Sequence, residues 1–360
     1  MNLFNCKTIS INNKNVKEVS IDNQVVWQKS KKRIIDGNAF NILVKDINGS
    51  SSTTETEDNT ITRIIFDYWN SSYQTLLGNF TTGTDVSYSN DGSIRLFYNS
   101  TIVYVLSDYI ISTYNANAMF RNFAAIEEIN FDNFDTSNNT DFTHFLLQCS
   151  SLERQTGMEN FDTSNVTTME NMLRHIKLNK IGQDDTCDLN VSGWDTRKVT
   201  NMRQMFRNNQ ATYIDVSNFY TPLCISFYNM FAVCSNLVTL NFENINMSLC
   251  SGKDTETPVS NASNMIAECP QLINLVFGKN LGSGYVSSRS GYHSAINLSQ
   301  SPLLTHDSIM SVFNNVGTIP GGSTTACYIY MGTTNYAKVT TAEISIPTAK
   351  NWYVSNNSRA

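Results

Sequence analysis

The sequence predicts an α+β fold organised around a solenoid of repeats, with one helix and one strand in each repeat of about 26 residues. Two observations support this prediction: a pair of apolar residues recurs along the chain, and a short β-like run follows several of the pairs. A unit of this size cannot bury its apolar face alone, so each repeat must pack against its neighbours. The first residues of the pairs are Met119, Phe145, Met172, Met205, Met230 and Met265.

Apolar residues around each pair indicate a helix. They recur three residues before the pair, at the pair and four residues after it, as Met169, Met172 and Ile176 illustrate in the third repeat. This spacing places them on one helical face. Thr167 and Glu170 have the spacing of a capping box, which marks a helix start. The β-like runs that follow are Glu128 to Phe131, Tyr213 to Val216, Leu237 to Phe242 and Leu272 to Phe277.

A turn element precedes several of the predicted helices, as in Phe161-Asp162-Thr163-Ser164-Asn165. We expect the aromatic ring to fill the core and the polar side chains to bond turn amides. The recurring aspartates could also line up carboxylates for a cation. One aspartate per repeat supplies few oxygens for each ion, so a ladder of Asx turns is favoured and no metal site is predicted. These aspartates are Asp135, Asp162 and Asp195.

The cysteines and histidines follow no catalytic or zinc pattern. Cys149, Cys234 and Cys269 share one repeat position with Phe123 and Ile176, which predicts buried small apolar side chains. Gly282-Ser283-Gly284 lacks the strand and the third glycine of a nucleotide fingerprint, so we interpret it as a loop. We therefore predict no catalytic and no cofactor-binding residue, and the sequence identifies no binding residue. The histidines are scattered, at His144, His175, His293 and His306.

Three blocks flank or precede the repeats, which occupy 116–282. Residues 1–33 alternate apolar and polar residues over short strands, and they are expected to dock on a partner or on copies of themselves because so short a unit folds poorly alone. The basic run that ends this block is interpreted as a solvated linker. Residues 34–115 predict a β-rich N-terminal cap. Residues 283–360 predict an α+β C-terminal cap.

Helix signals are clear in the C-terminal block. Thr305 precedes a segment whose apolar residues have helical spacing, and Thr340 with Glu343 forms a capping-box pattern. Strands are expected at Cys327 to Met331 and at Trp352 to Val354. In the repeats, insertions at 177–188 and 248–260 are interpreted either as variable contact loops or as tolerated drift.

Composition excludes several function classes. The net charge is −6 and only 16% of the residues are charged, so the chain has no basic field for a phosphate backbone, and nucleic-acid binding is not expected. The longest apolar runs are too short to span a bilayer, so membrane insertion is not expected. The N-terminus has no secretion-signal pattern.

At the repeats the chain resembles the BspA-like leucine-rich-repeat family, on the residues Phe161-Asp162-Thr163-Ser164-Asn165-Val166-Thr167 and the methionines that follow them. The resemblance implies a leucine-rich-repeat solenoid of a kind found on adhesive surface proteins. Residues 9–27 are similar to the leading segment of virion proteins from bacteriophages of gut bacteria. The block beginning at Leu304 resembles the end block that accompanies such repeats in phage fibre and tail proteins.

Together these resemblances predict a non-enzymatic bacteriophage virion protein of fibre or tail type, assembled in the host cytoplasm. We expect it to attach through its N-terminal segment, to form a homo-oligomer, and to contact other virion proteins and a host surface protein or glycan. The alternative is a bacterial surface adhesin with leucine-rich repeats. An enzyme on a fibre scaffold also stays open, because the paired carboxylates of glycosidases need no fixed sequence spacing.

Overall fold

The computed structural model describes residues 18–21, 24–28, 30–47, 49, 53–250, 264–283, 295–320 and 327–357. Within these residues the chain is a mixed α/β protein with several separate sheets and five α-helices. None of these helices is long and apolar enough to cross a lipid bilayer. The helices are α1 (Gly37–Ile47), α2 (Ser71–Leu77), α3 (His306–Asn315), α4 (Gly332–Tyr336) and α5 (Thr341–Thr348).

The N-terminal block contains a hairpin and two larger sheets. Strands β1 (Glu18–Ile21) and β2 (Gln24–Gln28) pair with each other in antiparallel fashion. The sequence also predicts a short strand at Thr8 to Ile11, which lies outside the described residues. The remaining strands of the block are β3 (Lys31–Arg33), β4 (Arg63–Tyr68), β5 (Thr84–Asp85), β6 (Ile94–Asn99), β7 (Ile102–Ser107) and β8 (Ile110–Ser112).

The basic run before the N-terminal cap is a strand, and its interpretation as a solvated linker is wrong. Strand β3 pairs in parallel with β8, and each of its three basic side chains has an acidic partner. Lys31 lies 3.0 Å from Asp135, and Lys32 lies 2.8 Å from Asp91. Helices α1 and α2 also lie in the block for which the sequence predicts a β-rich cap, and neither helix was predicted.

Short parallel strands join the repeats. Strands β14 (Tyr213–Asp215), β15 (Thr239–Asn241) and β16 (Asn274–Val276) align Ile214, Leu240 and Leu275 in register, and all three side chains are buried. These strands match the predicted β-like runs but are shorter. The strands of the region are β9 (Glu128–Asn130), β10 (Phe134–Asp135), β11 (Arg154–Thr156), β12 (Lys180–Gly182), β13 (Leu189–Asn190), β14 (Tyr213–Asp215), β15 (Thr239–Asn241) and β16 (Asn274–Val276).

The prediction of a leucine-rich-repeat solenoid with one helix and one strand in each repeat is wrong. Residues 116–250 and 264–283 contain no α-helix, and the segments around the apolar pairs are successive turns. In the third repeat the amide of Met172 donates to the carbonyl of Met169 at 3.2 Å, three residues back. Turns of this length place apolar residues three and four positions apart on one side, so the sequence spacing imitates a helix.

Positive φ angles explain why the chain does not continue as a helix. In the third repeat Asn171 has φ 55° and His175 has φ 60°, values outside the right-handed helical region. Asn171 occupies the third position of the turn from Met169 to Met172, where a type II turn requires positive φ and accepts Asn. Equivalent pairs in the other repeats are Ala118 and Asn122, His144 and Gln148, Gln204 and Asn208, Asn229 and Val233, and Asn264 and Glu268.

The C-terminal block confirms its helix and strand predictions. The Thr305 hydroxyl caps α3, and Thr340 with Glu343 forms a complete capping box at the start of α5. Pro347 lies one residue before the end of α5 and has no amide hydrogen to donate to the carbonyl of Glu343, four residues back. The strands β17 (Ala295–Asn297), β18 (Cys327–Tyr330) and β19 (Trp352–Ser355) form a parallel sheet.

One continuous apolar core extends from Ile34 to Trp352. Phenylalanine rings from successive repeats meet inside it. The ring of Phe145 lies 5.1 Å from Phe120 and 4.9 Å from Phe142, both edge to face. Such pairs add specific orientation to the burial of apolar area, so the repeats are fixed relative to one another by both packing and hydrogen bonds.

Candidate binding face of the repeats

Backbone hydrogen bonds hold the turns of neighbouring repeats in register. Asn171, Leu173 and His175 donate their amides to the carbonyls of Arg203, Met205 and Arg207, over 2.9, 3.0 and 3.1 Å. The same alternation of donors links the other repeats. Equivalent side chains of successive repeats therefore lie side by side in columns, and we call the surface formed by these turns the turn face.

Beneath the turn face, one column of buried side chains consists of hydrogen-bond donors. The thiols of Cys149, Cys234 and Cys269 donate to carbonyls of the preceding repeat over 3.0, 3.1 and 3.2 Å. Asn209 replaces cysteine in the fourth repeat and donates at 3.1 Å. The three cysteines are fully buried, which confirms that prediction. Burial raises the pKa of Cys149 to about 12, so its thiol stays protonated and unreactive at neutral pH.

The recurring aspartates lie on a different edge of the repeats. The carboxylates of Asp162 and Asp195 accept amides two residues ahead, from Ser164 at 2.9 Å and Arg197 at 3.0 Å, which confirms Asx turns at both positions. The carboxylate of Asp135 instead binds a lysine ammonium at 3.0 Å. Among the residues that the structure describes, no cluster of His, Cys, Asp and Glu is arranged to hold a metal ion.

Two of the histidines lie on the turn face. His144 and His175 occupy positive-φ positions of the second and third repeats and are half-buried. Burial, with the positive charges of neighbouring arginines, lowers the pKa of both side chains, so both are neutral at pH 7. His306 lies elsewhere, at the start of α3. His293 and Gly284 lie outside the described residues.

Arginines occupy one position of the turn face in three repeats. Arg121, Arg174 and Arg207 each lie two residues after the first residue of the apolar pair. We call these three residues the arginine column. Buried Leu147 occupies the same position in the second repeat, and Ala232 and Ala267 occupy it in the last two. The column is therefore confined to the first four repeats.

The members of the arginine column differ in their partners. Arg121 forms an ion pair with Glu55 at 2.5 Å. Arg174 donates to two neutral amide oxygens, of Asn171 at 3.1 Å and of Gln204 at 2.8 Å. Within the described residues, the side chain of Arg207 has no hydrogen-bond or carboxylate partner, and its Nε is buried without an acceptor. Two neighbouring guanidinium groups thus lack a counter-charge.

The electrostatics of the column agree with this geometry. Burial, together with the positive charges of Arg207 and Arg121, lowers the pKa of Arg174. Arginine stays charged even so, because its ordinary pKa is above 12. Beside the column, Arg203 lies 3.7 Å from the carboxylate of Glu170 and 4.6 Å from the ring centre of Tyr228. The turn face thus carries uncompensated positive charge at Arg174 and Arg207.

The repeats match a known family. The family model described as Mycoplasma protein of unknown function, DUF285, matches residues 114–237 and, a second time, residues 177–274. The repeat region is thus similar to the DUF285 family. This similarity agrees with the BspA-like resemblance of the repeats, and the arginine column lies within the matched residues. No curated protein and no solved structure matches the chain.

The arginine column was not predicted from the sequence. Its signal was present, because the three arginines recur at one offset from the apolar pairs. If the segments around the apolar pairs were helices, residues two positions after the pair would not be expected to lie next to their equivalents in other repeats. Only the parallel register of the turns places these side chains in one column.

Proposed function

We propose that the chain is a non-enzymatic attachment protein of a bacteriophage virion, of fibre or tail type, in which the repeats contact a host receptor and the N-terminal segment docks on the virion or on other copies. The observation that carries this proposal is the parallel register of the turns, which sets polar side chains in columns on a continuous surface. Repeat proteins use such extended surfaces for binding.

The N-terminal hairpin supports the docking role. Strands β1 and β2 pair with each other in antiparallel fashion. A two-stranded hairpin is marginally stable alone, so it gains stability from a partner. Light scattering of the full chain and of a version that begins at Ser30, which keeps β3, tests this role. We expect an oligomer for the full chain and a folded monomer for the shorter one; two monomers of equal stability would contradict self-association through the hairpin.

Location is tested by electron microscopy with gold-labelled antibodies against the purified chain. The antibodies are applied to phage particles and to cell envelopes from the culture that produces the protein. We expect gold on the particles, at the tail or on fibres. Gold on the envelopes alone would contradict a virion role.

The second candidate is a bacterial surface adhesin. It is favoured by the family match, since the matched family is described from Mycoplasma, a cellular organism. The adhesin would use the same repeat surface, and the gold-labelling experiment separates it from the virion protein by location.

A further inference from the structure

We propose that the arginine column binds an anionic polysaccharide, with Arg174 and Arg207 contacting its carboxylate or phosphate groups. This inference rests on the proposed attachment function and names the class of receptor. It adds a chemical requirement that the attachment function alone does not contain: the receptor chain must carry negative charge.

The guanidinium groups of Arg174 and Arg207 lack a carboxylate partner within the described residues. Other arginines on the repeats have carboxylate partners: Arg154 lies 3.3 Å from Glu128, and Arg197 lies 2.6 Å from Asp195. Arg174 is held only by neutral amide oxygens, and the side chain of Arg207 by no hydrogen bond within the described residues. Guanidinium groups bind carboxylates and phosphates in fixed, two-pronged geometry, and an anionic ligand would supply the partners that are missing here.

The guanidinium group of Arg174 is held in place before any ligand binds. Arg174 is clamped between Asn171 and Gln204, which lie in adjacent repeats and whose backbones are hydrogen-bonded to neighbouring repeats. Both amide side chains are almost fully buried. A guanidinium held in this way loses little side-chain entropy on binding, so its charge is available at a low cost in free energy.

The arginines of the column are spaced at intervals that suit a polymer with regularly repeated charges. Hydrogen-bonded neighbouring chains lie about 4.8 Å apart, so the backbones at Arg174 and Arg207 are separated by about 5 Å and those at Arg121 and Arg174 by about 10 Å. A polysaccharide with one charged group per sugar or per repeating unit presents anions at regular intervals along an extended chain. It can follow the column across the repeats and contact more than one arginine.

The surroundings favour a glycan over other polyanions. The half-buried amide side chains of Gln148 and Asn208 border the column and suit the hydroxyl groups of sugars. A nucleic acid requires an extended basic surface that contacts many phosphates, whereas only two arginines of the column, Arg174 and Arg207, lack a carboxylate partner within the described residues. Peptide interfaces centre on large anchor residues that fill pockets, whereas the residue between the first two arginines of the column, Leu147, is itself buried.

Binding of the full chain to three polymers by biolayer interferometry tests the proposal. The probes are polygalacturonate, which carries carboxylates, poly(glycerol phosphate), which carries phosphates, and neutral pullulan. We expect binding to one or both anionic polymers, weakened by added salt, and no binding to pullulan. Binding to only one anionic polymer identifies the group that the column recognises. Equal binding to pullulan, or no binding to either anionic polymer, would overturn the proposal.

Matched variants locate the binding. The double variant R174Q/R207Q is expected to weaken binding about tenfold or more, because charge-assisted hydrogen bonds are lost. The control R154Q/R197Q makes the same change in net charge, from −6 to −8, at exposed arginines outside the column. It should leave binding within about twofold, since charges beyond the site are screened. Equal weakening in both double variants would contradict a local site.

Folding does not obscure this test. Should R174Q/R207Q lose stability, the single variant R207Q serves in its place, because Arg207 holds no other described side chain. Unchanged binding in both R207Q and the double variant would overturn the proposal. If virions carry the chain and R174Q/R207Q attaches to host cells as the wild type does, the polysaccharide inference fails and the attachment function stands. If gold labels neither virions nor envelopes, the attachment function fails, and polymer binding still decides the role of the column.

Discussion

The same four-residue pattern has opposite outcomes in the repeats and in the C-terminal block. Thr340 and Glu343 form a capping box and begin α5, with the Glu343 carboxylate 2.7 Å from the Thr340 amide. Thr167 and Glu170 have the same spacing, but the Thr167 hydroxyl donates to the carbonyl of Thr140 in the neighbouring repeat at 3.1 Å. No helix follows Thr167.

The difference lies in where backbone groups find partners. In α5 the amides after the first turn bond within the helix, and the cap supplies the acceptors that the first amides otherwise lack. In the repeats every second amide donates to the next repeat, as Asn171 does to Arg203 at 2.9 Å. In the repeats, a carbonyl of the neighbouring repeat thus accepts the hydrogen bond that a carbonyl four residues back would accept in a helix. Local helix signals such as a capping box therefore do not produce a helix there.

The largest loss of stability is expected from a substitution at Asn171, whose positive φ angle distinguishes the repeats from a helix. Asn171→Val places a β-branched residue at φ 55° and removes an acceptor of Arg174. Strain and the lost bond should reduce the free energy of unfolding by about 2 to 4 kcal/mol, measured by urea denaturation. The control Ser345→Val, at an exposed position of α5, should cost less than 1 kcal/mol, by roughly the difference in helix propensity. Similar losses at both sites would contradict the positive φ.

A smaller loss is expected from the hydrogen bonds between repeats. The buried hydroxyl of Thr163 donates to the carbonyl of Asp195 at 2.9 Å. Thr163→Val leaves that carbonyl without a donor and should cost about 1 to 3 kcal/mol in urea denaturation. Thr167→Val is the matched control, because Thr167 is exposed and water can replace its hydroxyl. If Thr163→Val lowers the free energy of unfolding no more than the control does, the threonine hydrogen bonds between repeats do not stabilise the fold.

Glycine and alanine should rank in opposite order in the two regions. At Asn171, glycine should be more stable than alanine, because glycine adopts positive φ without strain. At Ser345, in the middle of α5, alanine should be more stable than glycine by about 1 kcal/mol, the usual difference in helix propensity. Thermal or urea unfolding of the four variants checks both rankings. Alanine preferred at both positions would indicate a helix in the repeats.

The smallest effect concerns pH in the C-terminal block. His306 Nε2 lies 2.9 Å from the Glu343 carboxylate, and this contact raises the pKa of His306 above 6.5. The stabilisation is therefore fully present below pH 6.5 and is lost as the pH rises through the raised pKa. We expect the urea midpoint of the wild type to fall between pH 6 and pH 8 more than that of His306→Gln. An equal fall in both proteins would exclude this pair as the cause.

Sequence patterns predicted α3, α5 and several strands because those elements depend on local signals, whereas the short helix α4 was not predicted. The buried role of Cys149 also followed from its repeat position. The turns around Met172 could not be predicted in the same way, because spacings of three and four residues fit both a helix and successive turns. The sequence predicted no binding residue, and Arg174 and Arg207 become neighbours only through the register between repeats.

The central claim is that the segments around the apolar pairs are turns bonded to the next repeat. Scalar couplings across hydrogen bonds, measured by NMR on the deuterated full chain, test it directly. We predict a coupling from the amide nitrogen of Leu173 to the carbonyl carbon of Met205, whose oxygen lies 3.0 Å from that nitrogen. A coupling from Leu173 to the carbonyl of Met169, four residues back, would mean a helix and would contradict the account.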